Sequence, residues 1–487
     1  NLVTIKNFGN HGCTIDIVLS HSGTATIAQQ VGWKGTSHGN FYTVAMDWAQ
    51  NKVAGGTISG KLADNTISWG NWTMLTTDSY VTGKYANGSI SSDKVTFKLP
   101  DDAATSLDGE GTEANPYKVR TLKDLNYIAD AVNSDKELKY GDPDVSLHTK
   151  TFLGKYFRLE NDIDMTNYRF EPIGNYWTQR FAGTFDGNGH KLIGLNVNTR
   201  SAGFAGLFGV ADTASVIKNL VVEKATVSGE YYYSGIIASA SFGLVENCTT
   251  SGTVTNTGVC AAGIVAYANN IKNCYFSGTV YALGGNGGGI AGQLNGVADN
   301  CHARATVFVS GSTSGRPAGG LVGNVYGSKA LLSHSYFTGK VNGTIKEDMH
   351  VGGVAGEVVL GTVDGCFAAA DVTGLSSEAC VGGVVGYLRG NVSNCYFTGL
   401  SSCYNSKKVG GITGFISATL SGKGDTIQAS VKNCYFAGRI RADVFLYDPQ
   451  TGARETLGTV YEAVHPTIEN VYYDRQMLNY NSVQGKA

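Results

Sequence analysis

The strongest constraint on this chain of 487 residues is a pair of short motifs that recurs from residue 206 onward. One motif is Gly-Leu-x-Gly, found literally at residues 206–209 and 320–323 and in variant form at 289–292, 353–356, 383–386 and 411–414. The other is Asn-Cys-Tyr-Phe, found literally at residues 273–276, 394–397 and 433–436, with partial copies between them. A period this persistent is typical of a solenoid, in which each repeat forms one turn of a stack.

The alternation of side chains in the second motif predicts the kind of solenoid. Cys274 and Phe276 share one parity and Tyr275 has the other, so in a strand they face opposite sides. The apolar pair faces the core, which leaves the tyrosine outside. Asn273 marks a corner, because asparagine tolerates the left-handed backbone that a corner requires, and stacked corner asparagines can hydrogen-bond from turn to turn. We therefore predict an all-β protein built on a parallel β-helix, right-handed as parallel crossovers almost always are.

The cysteines follow the same repeat. Six of the ten occupy one slot: Cys248, Cys274, Cys301, Cys366, Cys395 and Cys434. Their spacing fits no zinc motif, and a slot that faces the core favours buried free thiols over disulfides or metal ligands. Four others lie outside the slot, and the sequence leaves their role open: Cys13, Cys260, Cys380 and Cys403.

We divide the chain into four segments. Residues 1–100 lack the repeat and alternate in short bursts, which predicts a small antiparallel β-sandwich or barrel. Residues 101–180 are interpreted as a linker followed by a helix that caps the solenoid, with Thr121 and Asp124 placed as a capping box. Residues 181–475 form the parallel β-helix, and residues 476–487 form a C-terminal tail.

Composition excludes several classes of function. Lysine and arginine number 37 and aspartate and glutamate 39, a net charge of -2 without a basic tract, so no nucleic-acid partner is expected. No run of 18 apolar residues is present, so no transmembrane segment is expected. The chain begins at Asn1 rather than Met, and we expect that a leader, and with it a means of anchoring, has been removed.

The period of the two motifs resembles the GLUG-motif repeats of bacterial surface and secreted proteins. Residues 109–117, 154–164 and 185–190 resemble the segment that usually precedes such repeats, so the similarity covers about residues 109–475. It implies a right-handed β-helix displayed outside the cell, often in gut-type Bacteroidetes. It implies no reaction, because the family pattern carries no agreed catalytic residues.

The slot after the cysteine supplies a candidate binding site. Its outward residues, which we call the aromatic row, are Tyr275, His302, Tyr336, Phe367, Tyr396, Tyr435 and Tyr472. Sugar rings and extended polymers can stack on such a surface. We therefore expect an extracellular or outer-surface, adhesin-like protein whose partner is a glycan or a host or bacterial surface protein. The alternative is that the rings stack only on one another, or lie under a loop or the N-terminal domain.

Two other functions stay open: a carbohydrate-active enzyme, either a polysaccharide lyase or a glycosidase, and a passive surface stalk. An enzyme of that kind needs paired carboxylates, or acids that hold Ca²⁺ beside a basic residue. The outward slots offer only scattered charges: Arg304, Lys340, Asp371 and Arg439. Asp186 and His190 belong to an Asp-Gly-Asn-Gly turn, and residues 347–350 are interpreted as a solvated insertion. We predict no catalytic residue, no cofactor and no metal.

Overall fold

A computed structural model describes residues 107–133, 149–199, 203–311, 316–344, 348–403, 406, 408–420, 426–442, 459–461 and 465–474, together with the backbone of the strands before residue 97. The chain divides into two compact units, residues 1–105 and 106–487. The predicted C-terminal tail, residues 476–487, and the side chain of Cys13 lie outside the described residues.

The first unit contains two antiparallel sheets. The strands of one sheet follow the order Leu2–Phe8, Cys13–Leu19, Thr24–Ile27, Ile58–Ala63, Thr66–Trp69 and Lys94–Thr96. In the other sheet the strands are Val31–Lys34, Asn40–Asp47, Lys52–Gly55 and Trp72–Thr76, and the second of these pairs with the remaining three. Antiparallel pairing of short strands is what the period-two alternation of this segment predicts.

The second unit contains, near its start, the one helix found among the described residues, Leu122–Asn133. A capping box starts it, because Thr121 N donates to Asp124 Oδ2 (2.9 Å) and Asp124 N donates to Thr121 Oγ1 (3.4 Å). Leu125, Ile128 and Val132 are buried in the same apolar core as the strands that follow. The helix therefore covers core surface, as a solenoid requires near an open end.

Each turn of the solenoid contributes strands to three faces. Face 1 follows the asparagine corner and comprises Val221–Gly229, Thr249–Asn256, Tyr275–Ala282, His302–Val309, Tyr336–Gly343, Phe367–Gly374, Tyr396–Phe397, Leu400–Cys403 and Arg439–Ala442. Face 2 precedes the glycine motif and comprises Phe204–Ala205, Tyr233–Gly235, Cys260–Ala262, Asn286–Gly288, Arg316–Gly319, Met349–Gly352, Cys380–Gly382 and Val409–Gly410. Face 3 follows the glycine motif and comprises Phe208–Ala211, Val216–Lys218, Ala238–Glu246, Val265–Lys272, Ala291–Asp299, Val322–Tyr326, Leu331–Ser333, Ala355–Asp364, Val385–Ser393, Thr413–Ile416, Ser430–Phe436, Thr459–Val460 and Thr467–Tyr473. Two of these strands, Ser430–Phe436 and Thr467–Tyr473, continue through the asparagine corner onto face 1.

Equivalent strands pair in parallel one turn apart, as between Tyr275–Ala282 and His302–Val309. About eight turns result, so the predicted parallel solenoid is confirmed. A short antiparallel pair, Thr419–Leu420 with Thr426–Ile427, lies in the connection between the strands Thr413–Ile416 and Ser430–Phe436.

Parallel pairing begins well before residue 181. The earlier strands are Tyr117–Val119, Thr149–Thr151, Tyr156–Leu159, Ile163–Asp164, Gln179–Phe181, Thr184–Asp186, Lys191–Ile193 and Asn196–Thr199. Tyr117 pairs with Phe157, and Phe157 pairs with Phe185, so this segment belongs to the same sheet as the repeats. Neither the glycine motif nor the asparagine motif occurs in these first turns. For this reason the repeat pattern alone predicts that the β-helix starts at residue 181, later than it does in the structure.

The corners are left-handed, as the asparagine motif predicts. Their φ angles lie between 47° and 60° at Asn219, Asn247, Asn273, Asn300, His334, Gly365, Asn394, Asn433 and Asn470. Asn273 Nδ2 donates to Asn247 Oδ1 (3.0 Å), and Asn300 Nδ2 donates to Asn273 Oδ1 (2.8 Å). We call this chain of amides the asparagine ladder; it confirms the predicted bonding from turn to turn.

The cysteine slot faces the core beside each corner. The nine cysteines whose side chains the structure describes are all free and buried, so the prediction of free thiols is confirmed. Cys274 Sγ donates to the carbonyl oxygen of Lys272 (3.3 Å), and Cys395 Sγ donates to that of Ser393 (3.0 Å). The thiol therefore gives the corner carbonyl a donor that a valine of similar size could not supply.

Candidate functional site

The aromatic row lies on the outer side of face 1. Strand pairing sets its members in register in the order Tyr275, His302, Tyr336, Phe367, Tyr396, Tyr435 and Tyr472. Each ring is partly or fully exposed, whereas the residues that follow Tyr275 and Tyr396, Phe276 and Phe397, are buried. The structure therefore confirms the prediction that the row residues face outward and that the phenylalanines next to them face the core.

The middle of the row is a continuous stack of rings. The ring centroids of His302 and Tyr336 lie 4.0 Å apart, those of Tyr336 and Phe367 5.0 Å apart, and those of Phe367 and Tyr396 4.7 Å apart. The interplanar angles fall from 24° to 12° and then 6° along this series. Since Tyr336 and Phe367 each have a ring on both sides, only their edges reach solvent. This part of the row stabilises the face.

The C-terminal part of the row is more open. The exposed fraction is 41% for Tyr396, 43% for Tyr435 and 61% for Tyr472. The asparagine ladder runs beside these rings, because Asn394 and Asn433 stand two residues before Tyr396 and Tyr435. Each amide inside the ladder uses one of its two N–H groups and one of its two oxygen lone pairs to bond its neighbours. One donor and one acceptor per amide therefore remain for another partner. This surface therefore combines apolar rings with regularly spaced amides.

A second candidate site lies where face 2 packs against face 3. One column of side chains on face 2 runs in register through Tyr233, Cys260, Asn286, Pro317, His350, Cys380 and Lys408. The facing column on face 3 runs through Tyr267, Gln293, Asn324, Glu357, Tyr387 and Phe415. The second glycine of the motif permits this close packing, since a Cβ on Gly386 would lie under 3.0 Å from the backbone nitrogen of Val351.

Ionisable groups of these columns gather around His350, which is only 3% exposed. Its Nε2 lies 3.4 Å from Asp348 Oδ1, and its Nδ1 lies 3.5 Å from Glu357 Oε2. Both separations are at the outer limit of a hydrogen bond, and neither ring nitrogen has a well-formed hydrogen-bond partner among the described residues. Cys380 is the register partner of His350, and one donor atom each from Cys380, His350 and Asp348 lie within 4.8 Å of one another.

The charges in this cluster are mutually supporting. Burial favours the neutral imidazole, but Asp348 and Glu357 outweigh burial and raise the pKa of His350 above 6.5. His350 in turn lowers the pKa of Asp348. Burial alone would raise the pKa of Glu357, but His350 and Arg389 hold it below its usual value. Burial also raises the pKa of the Cys380 thiol, so that this cysteine is a poor nucleophile at neutral pH.

The sequence pattern does not reveal this cluster. Residues 347–350 are interpreted above as a solvated insertion, and for His350 that interpretation is wrong, because face 3 covers the imidazole. A signal does exist in the repeat. His350 and Cys380 each stand three residues before the first glycine of their motif, which is the spacing of register partners.

The residues considered for catalysis do not form an acid pair. Lys340 and Asp371 are register partners on face 1, where a basic residue faces an acidic one. Arg439 lies two turns further along the same column, and Arg304 lies on a different column of that face. Asp186 Oδ1 accepts from Asn188 N (2.8 Å) and from Asn219 Nδ2 (3.0 Å), so it serves the predicted turn and the start of the asparagine ladder.

The fold and the repeat define a parallel β-solenoid repeat protein. The family profile of the GLUG motif matches residues 377–402, which hold one glycine motif and the asparagine motif that follows it. This match confirms that the chain carries GLUG-type repeats. Among the described residues, no helix combines the length and the apolar character that a membrane span requires.

Two curated proteins are similar to part of the chain. A segment of 158 residues is 32% identical to halomucin of Haloquadratum walsbyi, and it covers 30% of this chain and 2% of halomucin. A segment of 154 residues is 29% identical to a "putative Gly-rich membrane protein" of Evansella cellulosilytica, and it covers 30% of this chain and 16% of that protein. The chain therefore spans only a small part of the length of these relatives.

A solved structure shares a weaker likeness. It is described as a "putative immunoglobulin A1 protease from Bacteroides ovatus", and the comparison covers 77% of this chain and 89% of the other at 18% identity. The TM-score is 0.35, which is too low to support an inference about fold or function.

Proposed function

We propose that this protein is a cell-surface or secreted, adhesin-like protein that binds glycan through the C-terminal part of the aromatic row. One observation carries the proposal: Tyr396, Tyr435 and Tyr472 stand in register, are the most exposed members of the row, and lie beside the asparagine ladder. Aromatic faces suit the C–H surfaces of sugar rings, and amides suit their hydroxyl groups.

The polar half of this surface favours a glycan over a protein partner. A protein interface has an apolar centre from which water is excluded. Here the column of rings runs beside a column of exposed ladder amides, whose free donors and acceptors would remain unpaired under an apolar partner. A polymer with many hydroxyl groups satisfies both sets. The names of the two relatives, a halomucin and a membrane protein, support a location at the cell surface.

The stacked members of the row have a different role in this proposal. Tyr275, His302, Tyr336 and Phe367 extend the row toward the N-terminus, and the stack from His302 onward fixes the orientation of the Tyr396 ring. The outer face of Tyr396 then meets the ligand with little loss of side-chain freedom on binding.

A glycan array followed by calorimetry tests the proposal. The double variant Tyr396→Ala/Tyr435→Ala is compared with Tyr281→Ala, which removes an exposed ring from another column of face 1. Loss of two stacking rings should weaken binding to a retained glycan at least about tenfold, whereas the control should bind as the unmodified chain does.

Three results would contradict this function. Absence of retention on a broad array of plant, microbial and mucin glycans would favour the passive stalk. If the double variant binds as tightly as the unmodified chain, the glycan site lies elsewhere on the protein. Cleavage of a retained polysaccharide, seen as new reducing ends or unsaturated products, would favour the enzyme.

A further inference from the structure

We propose that Asp348, His350 and Cys380 form a zinc site between face 2 and face 3, with Glu357 orienting the histidine. The three side chains offer one oxygen, one nitrogen and one sulfur donor, a mixed set that zinc accepts and that magnesium and calcium do not. The site lies on face 2 and face 3, whereas the aromatic row lies on face 1, so the zinc proposal stands independently of the glycan proposal.

The geometry is close to what zinc requires. Donor atoms around a tetrahedral zinc ion lie about 3.5 Å apart, given Zn–N, Zn–O and Zn–S bonds of about 2.0 to 2.3 Å. Asp348 Oδ1 and His350 Nε2 are already separated by 3.4 Å, and all three donors lie within 4.8 Å of one another. His350 and Cys380 are register partners, so the donors have to approach by only about 1 Å to reach this geometry.

The hydrogen bonding of His350 points to a missing partner. A buried imidazole normally has both nitrogens engaged, yet neither nitrogen of His350 has a well-formed hydrogen bond among the described residues. A zinc ion on Nε2 would satisfy one nitrogen. It would also fix the proton on Nδ1, which would then donate to Glu357 at 3.5 Å. A carboxylate behind a zinc-bound histidine is the usual supporting arrangement.

The surrounding charges hold this arrangement in place. Glu357 is ion-paired with Arg389 and lies on the Nδ1 side of His350, away from the nitrogen that would bind the ion. Lys408, which precedes the register partner of Val381, is paired with Glu378 (3.0 Å), and this pair offsets the positive charge near the thiol. The side chain of Asp348 is about half exposed (49%), so an ion can enter from solvent and keep water as its fourth ligand.

Zinc titration of the whole chain, in competition with a chromophoric chelator, tests the site. The unmodified protein should bind one zinc ion, and Co²⁺ in place of zinc should show a thiolate-to-cobalt charge-transfer band. His350→Gln, Cys380→Ser and Asp348→Asn should each lower the affinity at least about tenfold, and Cys380→Ser should abolish the band. Glu357→Gln should lower the affinity about tenfold and keep the band.

Matched controls separate binding from folding. Cys260→Ser removes a buried thiol from the same column of face 2, where the neighbours are Tyr233 and Asn286, and it should leave the affinity unchanged. Asp348 is exposed, so Asp348→Asn should fold normally even if the buried variants do not. The site is refuted if the unmodified chain binds no zinc at micromolar concentration, or if Asp348→Asn and a folded Cys380→Ser variant bind it unchanged.

Discussion

Gly383 lies directly against the ring of Phe397, so that a Cβ on this glycine would stand under 3.0 Å from Phe397 Cδ1. The same relationship joins Gly320 to Phe337 and Gly411 to Phe436. The two motifs of the repeat are therefore the two sides of one contact. The first glycine leaves a space in the core, and the phenylalanine of the asparagine motif fills it.

Replacing Gly383 by alanine should destabilise the solenoid strongly. The new methyl group would meet the Phe397 ring and the carbonyl oxygen of Gly411 at once, and overpacking of this kind costs about 3 kcal/mol. Urea unfolding followed by circular dichroism measures the loss. Gly327→Ala is the control, because its φ is 104° and no atom lies within 4 Å of the added Cβ, so it should lose only about 1–2 kcal/mol. Equal losses would show that the contact is not tight.

Two substitutions at Asn273 should separate backbone from side-chain effects at the corner. Asn273→Gly keeps the left-handed conformation and removes two ladder bonds, at a cost of about 1 kcal/mol. Asn273→Ala removes the same bonds and adds about 1–2 kcal/mol for a left-handed alanine. Thermal unfolding should therefore rank the unmodified chain above the glycine variant and the glycine variant above the alanine variant. An alanine variant as stable as the glycine variant would contradict a left-handed corner.

The two parts of the aromatic row should respond differently to truncation. Phe367→Ala removes stacking on Tyr336 and on Tyr396, and should cost about 2 kcal/mol of unfolding free energy. Tyr435→Ala removes a ring that is 43% exposed and should cost less than about 0.5 kcal/mol. Chemical denaturation of both variants measures the difference. Comparable losses would mean that the open rings are structural as well.

The corner at His334 should give the protein a small pH dependence. A hydrogen bond from His334 Nδ1 to Asp299 Oδ1 (2.8 Å) raises the pKa of His334 above 6.5. The stabilisation is therefore fully present below about pH 6.5, the unfolded value, and is lost as pH rises through the higher folded pKa. His334→Asn should remove this dependence, because asparagine holds the same corner at most other turns. Melting temperatures from pH 6 to 9 at low salt compare the two, and parallel curves would contradict the assignment.

Much of the solenoid could be predicted because its constraints are local and repeated. The parity of Cys274 and Phe276, the left-handed preference of Asn273 and the spacing of the motifs each describe one turn, and every turn repeats them. The early strands such as Tyr117–Val119 escaped prediction for the opposite reason, since no motif marks them and only pairing with the next turn makes them strands.

The candidate sites depend on information that one turn does not contain. The outward direction of Tyr396 follows from its neighbours in sequence, but the stacking of its ring on Phe367 depends on the register of two turns. His350 and Cys380 also meet only through the register of two turns, and Glu357 reaches His350 because the glycine motif folds face 3 back onto face 2. Such contacts become predictable once the register is known.

Distances between spin labels test most directly the claim that equivalent residues of successive turns lie one above another. Cysteines introduced at Thr226, Lys340 and Arg439, all exposed in one column of face 1, can be labelled while the nine native thiols that the structure describes stay buried. Four turns separate the first pair and seven turns separate the first from the last. At about 4.8 Å per turn, double electron–electron resonance should give a backbone separation of about 19 Å between residues 226 and 340 and of about 34 Å between residues 226 and 439. A distance from Thr226 to Arg439 no longer than that to Lys340 would contradict the stack.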